Sequence, residues 1–320
     1  MDSHSHRMET KQRILVVGGA GFIGSHIVEA IARSGLGCVV ADNLCTGKQE
    51  NCDGTGTSFH QCDCADMQAL GDLLRKETIT TVINVATRSL PYSLSFPFEA
   101  VRETIGVTQA LCELQRLGTF RTLVHLSSSE VYGQSSVVPI TEETPPNPTT
   151  PYAAAKAACD AIVLSYVRTF HSRSVIVRPF NQFGVRQQRG RYGALIARVI
   201  DAVMQKTPIT IHGSGKQTRD FLFVTDLAFA LACLVEQDAF LSGDVIQIAS
   251  GRERSVNEII ETIFSLMGAR TDVVHGPDRP GDIERQAASI EKASALLSWS
   301  PATPFEDGLR QTIDWHRAHP

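Results

Sequence analysis

No apolar run in the chain approaches the roughly 20 residues that a membrane-spanning helix needs. Long runs of one charge are also missing, and 30 Lys and Arg against 34 Asp and Glu leave a formal net charge of -4. That balance gives no support for nucleic-acid or membrane-surface binding. Cysteine occurs eight times, at 38, 45, 52, 62, 64, 112, 159 and 233, but never as a Cys-x-x-Cys pair. No metal site is expected from such spacing, and the thiols read as mostly buried apolar groups in a reducing cytoplasm. Cys62 and Cys64 are expected on opposite faces of a strand. The opening Met1–Arg7 has no apolar core of the signal-peptide kind, so residues 1–11 read as a disordered tail. His4 and His6 on that tail do not make a metal site. No repeat or low-complexity linker interrupts the rest, and 42% hydrophobic residues over 320 positions suffice for a large globular core.

What is present starts at the apolar run Arg13–Val17, the pattern of a parallel strand buried on both faces. Gly18-Gly19-Ala20-Gly21-Phe22-Ile23-Gly24 follows at once, and Ser25 to Arg33 reads as a helix. Glycines at 18, 21 and 24 let the backbone turn tightly and approach a pyrophosphate at a helix N-terminus, with Phe22 and Ile23 beside it. A second strand, Gly37–Ala41, ends at Asp42, followed by Asn43. A carboxylate at that spacing binds both adenosine ribose hydroxyls and repels a 2′-phosphate, which favours NAD over NADP. Lys48 is the nearby cation that argues the other way.

Strand and helix patterns then alternate: 58–62, 66–76, 81–85, 98–117 and 121–126. This predicts an α/β fold built on a doubly wound parallel sheet of the Rossmann type, with ligands at the strand C-termini. Asp63, at one strand end, is placed for the adenine, with Cys64 expected among the cofactor-binding residues. Ala86 and Thr87, at another, are placed for the cofactor phosphates, and Arg88 for the substrate.

The strand at 122–126 runs into Ser127-Ser128-Ser129-Glu130-Val131-Tyr132-Gly133, and about twenty residues on comes Pro151-Tyr152-Ala153-Ala154-Ala155-Lys156. Tyr152 and Lys156 lie one helical turn apart and project from one face. An ammonium beside a phenol favours the phenolate, which can take a proton from a hydroxyl while a hydride leaves the same carbon. Hydroxyls of Ser128 and Ser129 at the strand end can share that proton. Beyond Arg178 the loops lengthen, arginine is frequent, and helices are expected at 194–205, 226–236, 256–266 and 305–318, with a strand at 245–249. Residues 12–178 are expected to form mainly the NAD-binding domain. Residues 179–320 are expected mainly in a smaller α+β lobe, interleaved with the first and closing over the substrate.

From about Gln12 to His316 the chain resembles the extended short-chain dehydrogenase/reductases that modify nucleotide sugars. The motifs are Gly18-x-x-Gly21-x-x-Gly24, Asp42-Asn43-Leu44, Ser127 to Gly133, Tyr152-x-x-x-Lys156, Arg178-Pro179-Phe180-Asn181, Gly213 to Phe221 and Arg279-Pro280-Gly281-Asp282. The resemblance implies a bound NAD that oxidises the sugar at C4 and later returns the hydride, with Tyr152 as base. Lys156 would hold the nicotinamide ribose, Ser128 and Ser129 would orient the C4 hydroxyl, and Asn181, Arg219 and Arg279 would grip the nucleotide diphosphate, UDP first among the candidates. It also implies a homodimer paired through the helix of Tyr152 and the long helix before it.

Glu130 bears on which reaction follows. A 4-epimerase has no use for a carboxylate there, whereas a 4-keto sugar has an acidic C5 proton that Glu130 could remove on the way to 4,6-dehydration. Ser129 stands where thymidine-sugar dehydratases carry Asp, Gln286 where decarboxylases carry Arg, and Asp42 to Lys48 looks epimerase-like. The expectation leans to C5 chemistry, with 4-epimerisation as the alternative. Decarboxylation and a catalytically idle sugar-nucleotide-binding protein rank below both.

Overall fold

In a computed structural model, which describes residues 12–190, 193–278 and 281–319, strand β1 (Arg13–Val17) sends alternate side chains into two different cores. Ile14 and Val16 join one, Leu15 and Val17 the other, all four fully buried. A strand covered on both faces needs no polar side, which is why it reads as an unbroken apolar run.

From β1 the chain passes through α1 (Phe22–Arg33), β2 (Gly37–Asp42), β3 (Ser58–Gln61), α2 (Met67–Lys76), β4 (Thr81–Asn84), α3 (Leu90–Ser95) and α4 (Pro97–Arg116). There follow β5 (Thr122–Leu126), α5 (Pro151–Phe170), β6 (Arg173–Pro179), β7 (Asn181–Phe183), α6 (Leu195–Gln205), β8 (Ile209–His212), β9 (Thr218–Phe223) and α7 (Val224–Glu236). The last elements are β10 (Val245–Ile248), β11 (Glu253–Ser255), α8 (Val256–Met267), β12 (Val273–Gly276), α9 (Glu291–Leu297) and α10 (Phe305–Ala318).

Seven strands form a parallel sheet in the order β10-β6-β5-β4-β1-β2-β3. The order reverses between β1 and β4, and the crevice at such a switch point is where this architecture binds ligands. A second lobe carries the sheets β11-β9-β7 and β12-β8 around a core of Phe183, Ile196, Ile200, Ile259 and Phe305. The later chain also returns to the first sheet. β10 adds its outer strand, and Leu227 and Leu231 of α7 pack with Ile27 and Ile31 of α1.

Several sequence expectations need correction. The helix expected at 98–117 starts at Pro97 and is preceded by α3, whose turn is capped by Ser89. Strands β6, β7, β8, β9, β11 and β12 were not anticipated. Strand β3 ends at Gln61, so Cys62 and Cys64 lie in the turn beyond it. They do not point to opposite faces: both line the same cleft, and their thiols interact. All eight cysteines are free, four buried, three partly buried and Cys45 exposed. Among the described residues no helix is long and apolar enough to cross a membrane. The expected tail at 1–11 lies outside the described residues.

Candidate active site

The cleft at the switch point has a volume of about 760 Å³. Its walls include Gly18, Gly21, Phe22, Ile23, Gly24, Asp42, Asn43, Asp63, Cys64, Ala86, Thr87, Arg88 and Tyr152. Residues spread over more than 130 positions of sequence thus meet on one surface.

Two glycines explain the shape of the turn. Gly18 has φ +80°, and a Cβ there would sit 3.0 Å from the backbone of Ala86. At Gly24 a Cβ would fall 2.2 Å from the Gly18 carbonyl oxygen, so only glycine lets α1 pack on the turn. Gly21 stands at the N-cap of α1, and no side chain caps the helix's first N–H groups. Those donors and the helix dipole suit an anionic ligand.

Asp42 is 6% exposed. Its Oδ2 accepts the Ala20 N–H at 3.0 Å and its Oδ1 accepts the Leu44 N–H at 2.8 Å. Each oxygen keeps a lone pair for a further donor. Lys48 is paired with Glu50 at 3.3 Å, on the surface. Asp63 accepts the Ala65 N–H at 3.1 Å, and Asn43 accepts the Cys45 N–H at 3.1 Å. Ala86 donates its N–H to Asn84 Oδ1, and the Thr87 hydroxyl lies 3.3 Å from that of Thr104. A glycine cradle, an uncapped helix start and a carboxylate one strand over fit a dinucleotide without a 2′-phosphate.

Thr150 caps α5 by accepting the Ala153 N–H, and Pro151 occupies the first turn, so the helix start is fixed. Tyr152 is thereby held at the cleft wall, half-buried. Burial pushes its phenol up to about 12; a hydrogen bond with Ser128 pulls it down, and the charge of Glu130 pushes it up again. The expected easing of ionisation by Lys156 is not seen: burial, Ser128 and Glu130 are what act on the phenol. Lys156 is 1% exposed, donates from Nζ to the Leu126 carbonyl at 2.7 Å, and is lowered from its ordinary value chiefly by burial. Ser128 Oγ also accepts the Glu130 N–H at 3.2 Å, and the Ser129 carbonyl accepts from Gln286.

One helical turn beyond Lys156 comes Asp160, a residue not singled out in the sequence although its i+4 spacing from Lys156 was available. Asp160 Oδ2 receives Nε and Nη2 of Arg178 at 3.0 and 2.9 Å, and the Arg178 guanidinium lies 4.8 Å from the centroid of the Tyr132 ring. Lys156, Asp160 and Arg178 are all buried, and the Asp160–Arg178 pair lies one turn along α5 from Lys156.

The remaining candidates are placed differently. Ser128, Ser129, Glu130, Lys156, Asn181 and Arg219 are not on the cleft wall among the described residues. Arg88 is on it, with Nε 2.5 Å from Glu103 and its guanidinium over Tyr92. Asn181 donates to the Asp220 carbonyl and to Gln286 Oε1. Arg219 pairs with Asp282 at 2.6 Å and donates to the carbonyls of Thr218 and Ile283. Arg279 lies outside the described residues.

A doubly wound sheet with a dinucleotide cradle, and a Tyr on the wall of the same cleft whose helix carries a buried Lys one turn on, defines a nicotinamide-cofactor enzyme. Residues 14–249 match the NAD dependent epimerase/dehydratase family, and the chain belongs to that family. The dTDP-glucose 4,6-dehydratase of Streptomyces niveus is 34% identical over 95% of this chain and 93% of its own. The UDP-glucose 4-epimerase of Mycolicibacterium smegmatis is 30% identical over 95% and 98%. A solved Thermus thermophilus UDP-glucose 4-epimerase in complex with NAD superposes with a TM-score of 0.88, at 32% identity over 97% of this chain and all of that one. The chain is thus similar to members of both reaction types, and its cofactor is NAD.

Proposed function

We propose that the enzyme acts on a nucleotide-diphosphate sugar, oxidising it transiently at C4, and that Glu130 then directs chemistry at C5 in the manner of a 4,6-dehydratase. Bound NAD supplies hydride acceptance at C4 and its later return. Tyr152 takes the proton of the C4 hydroxyl, Ser128 and Ser129 orient that hydroxyl, and Lys156 favours the phenolate. The observation carrying the reading is Glu130 in the turn capped by Ser128, its backbone N–H on the Ser128 hydroxyl and its charge felt by the Tyr152 phenol. A base so close to C4 is within reach of the neighbouring C5 proton, which a C4 ketone acidifies. The C6 hydroxyl then leaves as water, taking the proton that Glu130 removed from C5, and the hydride returns to C6.

A 4-epimerase is the second reading, favoured by Ser129, which offers no acid for a leaving hydroxyl. Gln286, buried, neutral and bonded to Asn181 and the Ser129 carbonyl, lacks the cation that a carboxylate-bearing sugar would want. Asn181, Arg219 and Arg279 are proposed to hold the diphosphate, UDP being favoured. Residues 12–178 are taken as the mainly NAD-binding part and 179–320 as the mainly substrate-binding part. A homodimer through α4 and α5 is supported by Ala154, exposed, and by Ala157 and Ala158, partly buried, on α5. A cytoplasmic setting is supported by eight free thiols.

The test is incubation with UDP-, dTDP- and GDP-sugars, following products by mass and NMR, with Glu130→Gln beside the wild type. A product lighter by one water is expected from the wild type. The variant should reduce bound NAD, then stall as the 4-keto sugar with little solvent deuterium at C5. Interconversion of C4 epimers at equal rates by both proteins, without C5 exchange, would establish the epimerase.

A further inference from the structure

The loop between β7 and α6 supplies Gln187, Gln188 and Ala194 to the cofactor cleft, so the second lobe forms part of that wall. Arg186, next to Gln187 in this loop, ties it to the first lobe. Arg186 has φ +66°, a left-handed conformation that non-glycine residues adopt only at a cost. Its guanidinium makes three bonds to the first lobe. Nη1 donates to Glu29 Oε1 at 2.7 Å and to the Asn51 carbonyl at 3.0 Å, and Nη2 donates to His26 Nδ1 at 2.8 Å.

His26 returns the contact, donating from Nε2 to the Val185 carbonyl at 2.9 Å, which fixes its neutral tautomer. His26 and Glu29 belong to α1, whose first turn lines the cleft. Asn51 in turn donates from Nδ2 to the Ala20 carbonyl at 2.8 Å, inside the glycine turn itself. The Arg186 side chain is 13% exposed, so these bonds are mostly shielded from water.

We infer that Arg186 is a positioning residue that staples the second-lobe wall of the cleft to the glycine turn, and thereby sets how long NAD stays bound. Planarity matters here: a guanidinium reaches a carboxylate, a carbonyl and an imidazole at once, which a single ammonium cannot do. With the staple in place, the loop carrying Gln187 and Gln188 cannot move away from α1 without breaking a charge-assisted bond. The inference rests on NAD being the cofactor and is independent of which sugar reaction follows.

The experiment measures NAD retained after gel filtration, and the NAD off-rate by displacement with excess unlabelled cofactor, for wild type, Arg186→Ala, Arg186→Lys and Glu29→Gln. Arg186→Ala breaks all three bonds at once, which predicts an off-rate faster by at least about tenfold. Arg186→Lys should fail to restore it, Glu29→Gln should fall between, and melting temperatures should stay close to wild type. Off-rates within twofold of wild type in both arginine variants would overturn the inference. Because no readout uses turnover, an inert sugar panel would sink the proposed reaction and leave this result standing.

Discussion

At the glycine turn the surface facing the cleft is backbone. A Cβ at Gly24 has no room, the first N–H groups of α1 are uncapped, and Asp42 is held by two amides. Around Arg219 the polar surface is instead side chain, and already paired: Arg219 with Asp282, Arg285 with Glu253, and Arg88 with Glu103 nearer the cofactor. Backbone donors in a fixed turn cannot rearrange, so the cofactor side is organised before any ligand arrives. Ion pairs can be exchanged, so a diphosphate held by Arg219, as proposed, would have to compete with Asp282. One side is shaped by what cannot move, the other by what must.

Tyr152 stands on the wall of the cleft that the glycine turn shapes, and removing its oxygen tests whether the chemistry sits there. Tyr152→Phe is expected to lower kcat by about 10²–10⁴-fold, the usual worth of a positioned general base. NAD affinity should be nearly unchanged, because the ring still fills its place at the wall. Single-turnover measurements with cofactor titration would separate the two, and a variant keeping most of its kcat would move the base elsewhere.

Gly24→Ala attacks the rigid side directly. The added methyl meets the Gly18 carbonyl oxygen at 2.2 Å, and relief requires α1 to shift from the turn. Overpacking of this kind costs about 3 kcal/mol, at the upper end of its usual range, and should be seen as a lower midpoint in denaturant together with loss of retained NAD. An unchanged midpoint would mean that the helix start is softer than its packing implies.

This asymmetry also decides what could be read in advance. Gly18, Gly21, Gly24 and Asp42 are legible because backbone constraints act within a few residues and leave a spacing in the sequence. Tyr152 and Lys156 are legible for the same reason, a single helical turn. The electrostatics of that pair were not, since Lys156 spends its ammonium on the Leu126 carbonyl and burial dominates the phenol. Arg186 escaped notice because its partners are some 135 to 160 residues away and only the fold unites them. Short strands β7 and β11, three residues each, are set by tertiary pairing and leave no periodic pattern.

The junction between the lobes has its own pH signature. His26 is 5% exposed and lowered to about 4, first by burial and then by Arg186. Its folded value lies below its unfolded one, so the unfolded chain binds the extra proton first. Stability is full above about 6.5 and falls as pH drops toward 4, by on the order of 1–3 kcal/mol for this group. Denaturant midpoints between pH 7 and 4 should decline less steeply in His26→Gln. Equal slopes would assign the decline to other groups.

The smallest effect expected is at Asp282, and it bears most directly on the exchangeable side. Asp282→Asn keeps an oxygen for the Ile283 N–H, now 3.0 Å from Asp282 Oδ1, but removes the charge opposing Arg219. Arg219 should stay in place, because it is also anchored on the carbonyls of Thr218 and Ile283. Stability should change by less than about 1 kcal/mol, the range for a partly exposed pair. If Asp282 competes with the diphosphate, the variant should bind the nucleotide sugar more tightly, lowering KM by about two- to fivefold at unchanged kcat, since freeing the guanidinium is worth no more than the pair itself. Raised salt should shrink the difference, as it screens the competition. A KM that rises would reverse the assignment: Asp282 would then orient Arg219 for the ligand, and the substrate side would be as fixed as the glycine turn opposite.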